Sequence, residues 1–353
     1  MTGGSEARRV PLDHLERFIE RTFVAVGMPA ENARTVAALM AEADALGAEG
    51  HGIFRLPQYV KRIKAGGLNL RPDIRIERER AGMALLGGDN AMGHLVMRRA
   101  AELASEKAAA AGVAWVGAHH SNHAGPASLY ARIPLKRDMI GLYVAVGNAN
   151  HLPPWGGTEM LLSTNPIAIA VPAASRPPLV LDMATTVAAY GKVKTKAQRG
   201  ETMPEGWMID RGGRPLTDPK RADEGFLLPI GGYKGYGLGL MFGILAGILN
   251  GAAFGRDTID FNADFTTPTN TGQFVVAIDI GAFLDLDAFK HQIDEVWDTM
   301  KSSPLLPGFD EIRLPGERTH RLEQDNRRLG VPIHPTLEPA LARLAGELAI
   351  EPL

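Results

Sequence analysis

The stretch LVMRRAAELASEKAAAAGVAWVGAHHSNH, residues 95–123, decides the fold. Its first part, Leu95 to Ala111, is rich in alanine and predicts a helix, since alanine has the highest helix propensity. The apolar run Val113 to Ala118 is typical of a buried strand. A second helix is predicted from Ala127 to Lys136, and a second strand from Ile140 to Val146. This alternation of helix and strand predicts an α/β domain.

The same periodicities extend the pattern in both directions along the chain. A long loop rich in proline and glycine follows at 148–164, and its length suggests a functional role. A polar, turn-rich excursion covers 200–228. Further strands are predicted at 74–77, 83–86, 167–171, 179–182 and 274–280, and further helices at 11–26, 29–46, 57–66, 187–198, 286–300, 318–328 and 337–348.

Length and composition limit the class of protein. With 353 residues the chain is long for one hydrophobic core, so two lobes are expected. A hydrophobic share of 45%, a charged share of 22% and a net charge of -2 are those of a soluble globular protein without a nucleic-acid or membrane partner. The chain has no cysteine, and its first nine residues are polar. We therefore expect no secretory signal, no disulfide and a cytoplasmic location.

Residues 235–255 form an uncharged segment with glycine at every fourth position, from Gly235 to Gly255. Its length would allow it to span a membrane. Glycine costs about 1 kcal/mol per helical position relative to alanine, so close backbone packing must offset that cost. We therefore predict a buried helix packed on a sheet or a cofactor rather than a membrane span.

The segment Gly50-His51-Gly52-Ile53-Phe54-Arg55 combines an imidazole with a guanidinium four residues later. If it is helical, His51 and Arg55 share one face. Histidine can exchange a proton near neutral pH, and arginine can bind a carboxylate through two parallel hydrogen bonds. An enzyme of small 2-oxo or 2-hydroxy acids needs this pair, although a surface turn before an ordinary helix would contain the same residues.

Three histidines, His119, His120 and His123, end the strand that starts at Val113. Two histidines three residues apart can bind zinc, but no cysteine and no H-E-x-x-H motif support it, so we expect no metal. The alternatives are an exposed polar strand end and a strand-to-helix junction at Ser121 to His123 that suits a phosphate.

Two single charges lie at the ends of apolar segments. Lys234, in Gly231-Gly232-Tyr233-Lys234-Gly235, either extends to the surface or meets an anion. Asp182 ends an apolar strand, where a carboxylate commonly faces a crevice. It either orients a histidine or caps the following helix.

Two common enzyme motifs are missing from the sequence. Gly235-Tyr236-Gly237-Leu238-Gly239 has the wrong spacing for a G-x-G-x-x-G fingerprint and follows no clear strand, so a nicotinamide cofactor would not bind through the usual Rossmann turn. No G-x-S-x-G elbow supports a serine hydrolase.

Several short stretches follow one another in order from about residue 10 to residue 330. They are HGIFRLP-x-Y (51–59), SNH (121–123), PWGG (154–157), TNPIA (164–168), LDMAT (181–185), PEGW (204–207) and LPIGGYKGYGL (228–238). Each is weak alone, but the ordered set resembles the type-2 malate/L-lactate dehydrogenase family. That family also includes sulfolactate and ureidoglycolate dehydrogenases, diketogulonate reductase and the piperideine/pyrroline-2-carboxylate reductases.

The resemblance implies hydride transfer between NAD or NADP and C2 of a small 2-hydroxy or 2-oxo acid, or reduction of a cyclic imino acid. It implies an α/β, α+β-like fold. A non-Rossmann nucleotide-binding domain with a mostly antiparallel sheet flanked by helices would cover about 71–314. A helical domain would be built from 1–70 and about 315–353, in a homodimer. The residues so assigned are His51 and Asp182 for proton transfer, Arg55, Tyr59 and Thr164 for the substrate, and Ser121, His123, Ala124, Gly125, Pro126, Ala127, Leu181, Met183, Lys234, Pro315, Gly316 and Glu317 for the cofactor.

The resemblance leaves three questions about the site. In some members a histidine at the position of His123 transfers the proton, so His51 has a rival. Lysines 192, 194 and 196 either meet the 2′-phosphate of NADP or form a solvated helix face. Gly50 stands where the family often has serine; Glu49 could compensate, the proton route could differ, or the chain could be a binding dimer without catalysis.

Overall fold

The computed structural model describes residues 8–353. Residues 1–7 lie outside the described residues. The start of the predicted helical domain, and most of the polar stretch from which we expect no secretory signal, fall within residues 1–7. Ten α-helices lie in the described chain: α1 (Leu12–Ala25), α2 (Ala30–Ala45), α3 (Leu56–Lys64), α4 (Gly93–Ala111), α5 (Ser128–Ala131), α6 (Tyr190–Arg199), α7 (Tyr233–Ala246), α8 (Leu286–Lys301), α9 (Glu317–Leu329) and α10 (Glu338–Leu348). The strands are β1 (Arg8–Val10), β2 (Arg75–Arg80), β3 (Met83–Gly87), β4 (Val113–Ser121), β5 (Ile140–Ala145), β6 (Ile167–Val171), β7 (Leu179–Met183), β8 (Met208–Asp210), β9 (Gly225–Leu227), β10 (Thr271–Ile278) and β11 (Val331–Ile333).

A seven-stranded sheet forms the centre of the described chain, in the order β2-β3-β4-β10-β5-β6-β7. Neighbouring strands are antiparallel except for the pair β3 and β4. This confirms the prediction of a mixed α/β chain with a mostly antiparallel sheet. The parallel pair follows from α4, which crosses over the sheet between β3 and β4, as a parallel connection requires.

Strand β10 is buried over nearly its whole length, because both faces of the sheet are covered there. Helices α4 and α5 pack on one face, where alanines of α4 allow close approach to β4 and β10. Helix α7 packs on the other face, against β5 and β10. Gly112, with φ of 80°, ends α4 and lets the chain turn at once into β4.

The two ends of the described chain meet. Strand β1 pairs antiparallel with β11. Leu15, Phe18 and Phe23 of α1 belong to one apolar cluster with Leu341 and Leu344 of α10, and residues of α2 and α3 complete it. A second hydrophobic core therefore forms from helices of both ends of the chain.

Two predicted helices differ from those observed. The helix expected to run to Gly255 ends at Ala246, because Gly247 leaves helical dihedrals and a 3-10 turn, Ile248–Asn250, follows. The helix expected over 127–136 is α5 followed by a separate 3-10 turn, Pro134–Arg137. Within residues 8–353, none of the helices is both long and apolar enough to cross a membrane.

Candidate active site

A tight loop between α2 and α3 carries His51 and Arg55. Residues Ile53–Arg55 form a single 3-10 turn that leads into α3, and His51 lies before it. The backbone N–H of Ile53 donates to Asp44 at 2.7 Å, and a side chain on Gly52 would overlap that carboxylate. Burial raises the pKa of Asp44 to about 8. Glycine is therefore required at position 52, where the loop folds back onto α2.

Arg55 is 6% exposed, and most of its donors bind protein oxygens. Its Nε donates to the carbonyl of Gly50 at 2.8 Å, and Nη1 donates to Gln58 Oε1 at 2.7 Å. Within residues 8–353, Nη2 has no hydrogen-bond partner, and Gly191 leaves room beside it. Because Nε and Nη1 are engaged by protein oxygens, the guanidinium keeps Nη2 free to bind one oxygen of a ligand.

The ring of His51, in the loop before α3, stacks on the ring of His123. The two rings are parallel within 6°, with centroids 5.7 Å apart, and His123 also stacks on Phe261 at 4.9 Å. His51 is half-buried, and its ring nitrogens bond to no described residue. Burial first, and then the positive charge of Arg55, lower the pKa of His51 to about 3. At neutral pH His51 is therefore an uncharged imidazole, available to a ligand.

Tyr59 fixes the tautomer of His123. Its hydroxyl lies 2.5 Å from His123 Nδ1, and the N–H of Gly125 points at the same nitrogen at 3.4 Å. Burial raises the pKa of Tyr59, and burial together with the charge of Arg55 holds the pKa of His123 well below its usual value. The phenol therefore keeps its proton and donates it to Nδ1, which leaves the N–H of His123 on Nε2.

His94 lies beneath this pair at the start of α4. It is fully buried, packs edge-on against Tyr59, and neither ring nitrogen has a hydrogen-bond partner in the described chain. Burial lowers its pKa to about 3. An uncharged His94 adds no positive charge to the site.

A second group of side chains faces Arg55 from α6. Lys194 Nζ donates to Asn262 Oδ1 at 2.6 Å, and that oxygen also lies 3.4 Å from Arg55 Nη1. His151 stacks on Tyr190 at 3.9 Å, and burial lowers the pKa of His151 to about 4. The site therefore has an imidazole side around His51 and a cationic side formed by Arg55 and Lys194.

In the described chain, Asp182 and Thr164 form no hydrogen bond with His51. Asp182 accepts a hydrogen bond from the N–H of Ser128, at the start of α5, at 2.9 Å. Thr164 accepts two hydrogen bonds from Thr185 at its carbonyl. The bond from Ser128 holds the start of α5, which follows His123, and the role of Asp182 in proton transfer stays a prediction.

The predicted cofactor residues fall into a buried set and an accessible set. Ser121 is fully buried and donates to Gln273, and Ala124, Pro126 and Ala127 are also buried. Pro315 and Gly316 lie along β7, because the N–H of Val180 donates to the carbonyl of Pro315 and a side chain on Gly316 would press against Val180. The segment 315–317 therefore adjoins β7 at Val180, and its contact with a cofactor stays a prediction.

Glu317 and Lys234 differ in their availability. Glu317 is 7% exposed and engaged by Lys301, Arg321 and the N–H of Leu314. Lys234 is exposed in the first turn of α7 and pairs with no described residue. Of the two charges, only Lys234 is free for a ligand.

Of the three histidines at the end of the β4 segment, His119 and His120 have neighbouring rings, and His123 has a different environment. His119 bonds Glu77 at 2.8 Å, while His123 bonds Tyr59. In the part of the chain that the structure describes, no three histidine, aspartate or glutamate side chains are grouped to hold a metal ion.

Sequence reasoning missed several residues of the site. Phe261 and Asn262 come from a loop about 200 residues away in sequence and belong to no motif. The sequence offered little to single out the other two residues. Gln58 directly follows the HGIFRLP motif, and His94 directly precedes a predicted helix. Lys194 was noted, but only as one of three lysines with two possible surroundings.

The chain is similar to known proteins over nearly its whole length. A family model described as malate/L-lactate dehydrogenase matches residues 10–342. The chain is 38% identical to a malate dehydrogenase of Pyrococcus horikoshii, over 98% of this chain and 97% of that protein. A solved structure of malate dehydrogenase from Pyrococcus horikoshii superposes on this chain with a TM-score of 0.90. That alignment has 36% identity and covers 98% of this chain and 97% of that one. An L-sulfolactate dehydrogenase of Methanothermobacter thermautotrophicus is 39% identical, over 91% and 94% of the two chains. A Δ1-pyrroline-2-carboxylate/Δ1-piperideine-2-carboxylate reductase of Pseudomonas putida is 32% identical, over 92% and 93%.

Proposed function

This chain belongs to the family of malate/L-lactate dehydrogenases, oxidoreductases that act on CH–OH groups, and we propose that it transfers a hydride between a nicotinamide cofactor and C2 of a small 2-hydroxy or 2-oxo acid. One observation carries the proposal. Within residues 8–353, the ring nitrogens of His51 form no hydrogen bond, and the same loop carries Arg55, whose Nη2 forms none either. One site therefore offers a group that can carry a proton and a hydrogen-bond donor that can bind an anion.

The chain's own residues would bind the acid and move its proton. The substrate carboxylate would accept from Arg55 Nη2, in a charge-assisted hydrogen bond. His51 would accept the hydroxyl proton during oxidation and return it during reduction. Tyr59 holds His123 with its N–H on Nε2, so His123 would donate a hydrogen bond to the substrate oxygen without carrying the proton away.

The start of α7 supports binding of the cofactor's phosphates. Gly231 and Gly232 precede it with positive φ; a side chain on Gly231 would meet nothing within 4 Å, whereas one on Gly232 would lie 3.3 Å from Trp155. The N–H groups of Tyr233 and Lys234 at the start of this 14-residue helix, together with the exposed Lys234 side chain, suit a diphosphate. The bound nicotinamide would supply or accept the hydride. The same features fit NAD and NADP, so both belong in the test.

Steady-state kinetics with a matched pair of histidine variants tests the proposal. We expect the wild type to oxidise NADH or NADPH in the presence of a 2-oxo acid. His51→Ala should lower kcat by about 10²- to 10⁴-fold, the usual contribution of a general acid–base, while cofactor binding measured by fluorescence stays unchanged. His291→Ala, on the exposed face of α8, is the control. If His51→Ala retains turnover and His123→Ala abolishes it, the proton carrier is His123.

The Pseudomonas putida relative supports a second candidate, reduction of a cyclic imino acid such as Δ1-piperideine-2-carboxylate. Such a substrate presents one carboxylate to Arg55 and an imine nitrogen to the imidazole. Including cyclic imines in the substrate panel separates the two reactions. A wild type that binds cofactor yet reduces neither class would be the binding dimer that Gly50 suggests.

A further inference from the structure

Within residues 8–353, each hydrogen bond from the Arg55 side chain ends on an uncharged oxygen. Nε donates to the carbonyl of Gly50 at 2.8 Å, and Nη1 donates to Gln58 Oε1 at 2.7 Å and to Asn262 Oδ1 at 3.4 Å. None of the ion pairs in these residues includes Arg55. Burial lowers the pKa of Arg55, but a guanidinium stays protonated at neutral pH. The site therefore contains a buried positive charge without an acidic partner in the described chain.

Other buried or half-buried arginines of the described chain have different surroundings. Arg132 and Arg327 both pair with the carboxylate of Glu323, at 2.9 and 3.0 Å. Arg62, seven residues after Arg55 and 1% exposed, is also bound by carbonyls, but its Nη1 and its Nη2 both donate to them. Arg55 differs from both kinds, because it pairs with no acid and its Nη2 has no hydrogen-bond partner among residues 8–353.

The nearby carboxylate of Asp260 acts on a different cation. Its Oδ1 accepts from the backbone N–H and from Nδ2 of Asn262, each at 2.8 Å. Burial lowers the pKa of both His151 and Lys194, and the charge of Asp260 acts on both in the opposite direction. Asp260 is therefore the counter-charge of Lys194, and the Asn262 amide lies between this carboxylate and Arg55.

Two neighbours of opposite character determine the orientation of the Gln58 amide. Arg55 Nη1 can only donate, so Gln58 Oε1 must face it. Gln58 Nε2 donates to the carbonyl of Phe261 at 3.1 Å and to Asn262 Oδ1 at 3.3 Å. An amide serves a donor and an acceptor at once, which an ionised carboxylate cannot do. A carboxylate at position 58 would pair with Arg55 but would leave the Phe261 carbonyl without its donor.

We propose that Gln58 and Asn262 are positioning residues, which hold the Arg55 guanidinium through neutral amide oxygens so that its charge stays available for the carboxylate of the substrate. This inference rests on the proposed function and gives the reason why Arg55 can bind an anion there. A charge-assisted hydrogen bond is roughly twice as strong as a neutral one. An acid in place of either amide would compete with the substrate for the guanidinium.

Two substitutions of Gln58 separate the effect of charge from that of shape, because both remove the donor to Phe261 and only one adds a carboxylate. With pyruvate or oxaloacetate, Gln58→Glu should raise KM by about 20- to 100-fold, the equivalent of one charged hydrogen bond. It should change kcat by less than about threefold, because the lost contact is the same in the ground and transition states. Gln58→Met should raise KM by only about two- to fivefold, the equivalent of a neutral hydrogen bond.

The controls address folding and the cofactor. Gln324→Glu makes the same chemical change on the exposed face of α9 and should behave as the wild type. Fluorescence titration with NADH and NADPH should give the same affinity for all variants. If circular dichroism shows that Gln58→Glu does not fold, Asn262→Asp, which puts a carboxylate on the other amide position, takes its place with the same expected loss.

Calorimetric binding of oxamate, an unreactive analogue of a 2-oxo acid, gives a readout that does not depend on turnover. We expect the same order, with a large loss of affinity in Gln58→Glu and a small one in Gln58→Met. Equal losses would show that Gln58 only supports the loop of Phe261, and wild-type affinity in Gln58→Glu would show that the charge of Arg55 does not hold the anion. Either result overturns the inference. A wild type that binds oxamate but reduces no 2-oxo acid with either cofactor would overturn the proposed function instead, and the oxamate series would still decide the role of the two amides.

Discussion

At the scale of single residues, the charge state of His51 decides how the reaction depends on pH. Its folded-state pKa is about 3, below the ordinary 6.5, because burial and the Arg55 guanidinium both disfavour the imidazolium. From about pH 5 to 8 the free enzyme therefore contains a neutral His51. A neutral imidazole is ready to accept a proton from a hydroxy acid and must first gain a proton to reduce an oxo acid.

The lowered pKa of His51 predicts different pH profiles for the two directions of the reaction. The pH profile of kcat/KM reports the free enzyme. For oxidation it should be flat between about pH 5 and 8, since His51 is already unprotonated. For reduction it should fall about tenfold per pH unit, because the protonated fraction falls at that rate. Initial rates in constant-ionic-strength buffers measure both, and His291→Ala should reproduce the wild-type curves. A break near pH 6.5 in the oxidation profile would contradict a depressed pKa.

The residues around His51 also indicate what sequence can predict at this scale. His51, Arg55 and Tyr59 could be singled out, because they lie close together in one motif. Asn262 could not, because only the fold brings its loop to Arg55. Glu49 was a candidate to replace the serine missing at Gly50, but it pairs with Arg199 at 3.0 Å. A side chain at position 50 would meet nothing within 4 Å, so a lack of space does not explain why glycine replaces serine there.

At the scale of elements, the glycines of α7 have unequal roles. Gly235, Gly239 and Gly243 are buried, and they form the face that lies against the rest of the chain. A Cβ on Gly243 would lie 2.6 Å from Phe254 and 2.7 Å from Asn165, and one on Gly237 would meet nothing within 4 Å. The glycine row therefore provides close packing on one face only.

A pair of alanine substitutions tests this difference. Gly237→Ala should raise the free energy of unfolding by about 0.5–1 kcal/mol, because alanine loses less backbone entropy in a helix. Gly243→Ala should lower it by about 1–3 kcal/mol, the usual cost of overpacking. Chemical denaturation at one pH measures both, and activity identifies misfolded variants. Equal effects of the two substitutions would show that α7 does not pack through this face.

The boundaries of α7 could be predicted only at one end. The sequence placed a helix after Lys234, since an apolar run with glycine at every fourth position requires close packing. Its C-terminal end was wrong by nine residues, because the pattern continues to Gly255 while Gly247 takes φ of -91° and ψ of -81°. Periodicity alone does not reveal where the backbone leaves the helix.

At the scale of the whole molecule, the strand order was beyond prediction from sequence. Strand β10 lies between β4 and β5, although about 125 residues separate it from β5 in sequence. Its apolar run predicted burial but not its neighbours. The pairing of β1 with β11 was missed for the same reason, since strands of three residues carry too little pattern.

Several exposed apolar side chains belong to α7 or to segments next to it. Each is at least 41% exposed, and they are Trp155, Tyr233, Leu238, Met241, Ile248 and Leu249. Leu238 and Met241 are three residues apart and share one helical face. Large exposed apolar patches mark interfaces, so we predict that these side chains form one. The resemblance implies a homodimer, so we propose a second copy of this chain as the partner.

We expect the double substitution Met241→Lys and Leu249→Glu to convert a dimer into monomers, because each charge would be buried without a partner at the interface. Sedimentation velocity across a concentration series measures the change. Leu306→Glu is the matched control, since Leu306 is 69% exposed in a different apolar group, with Leu305 and Phe309. If only Leu306→Glu gives monomers, the interface lies on that second surface. If the wild type sediments as a monomer at all concentrations, the apolar side of α7 does not hold a second copy, and its exposure must serve another partner.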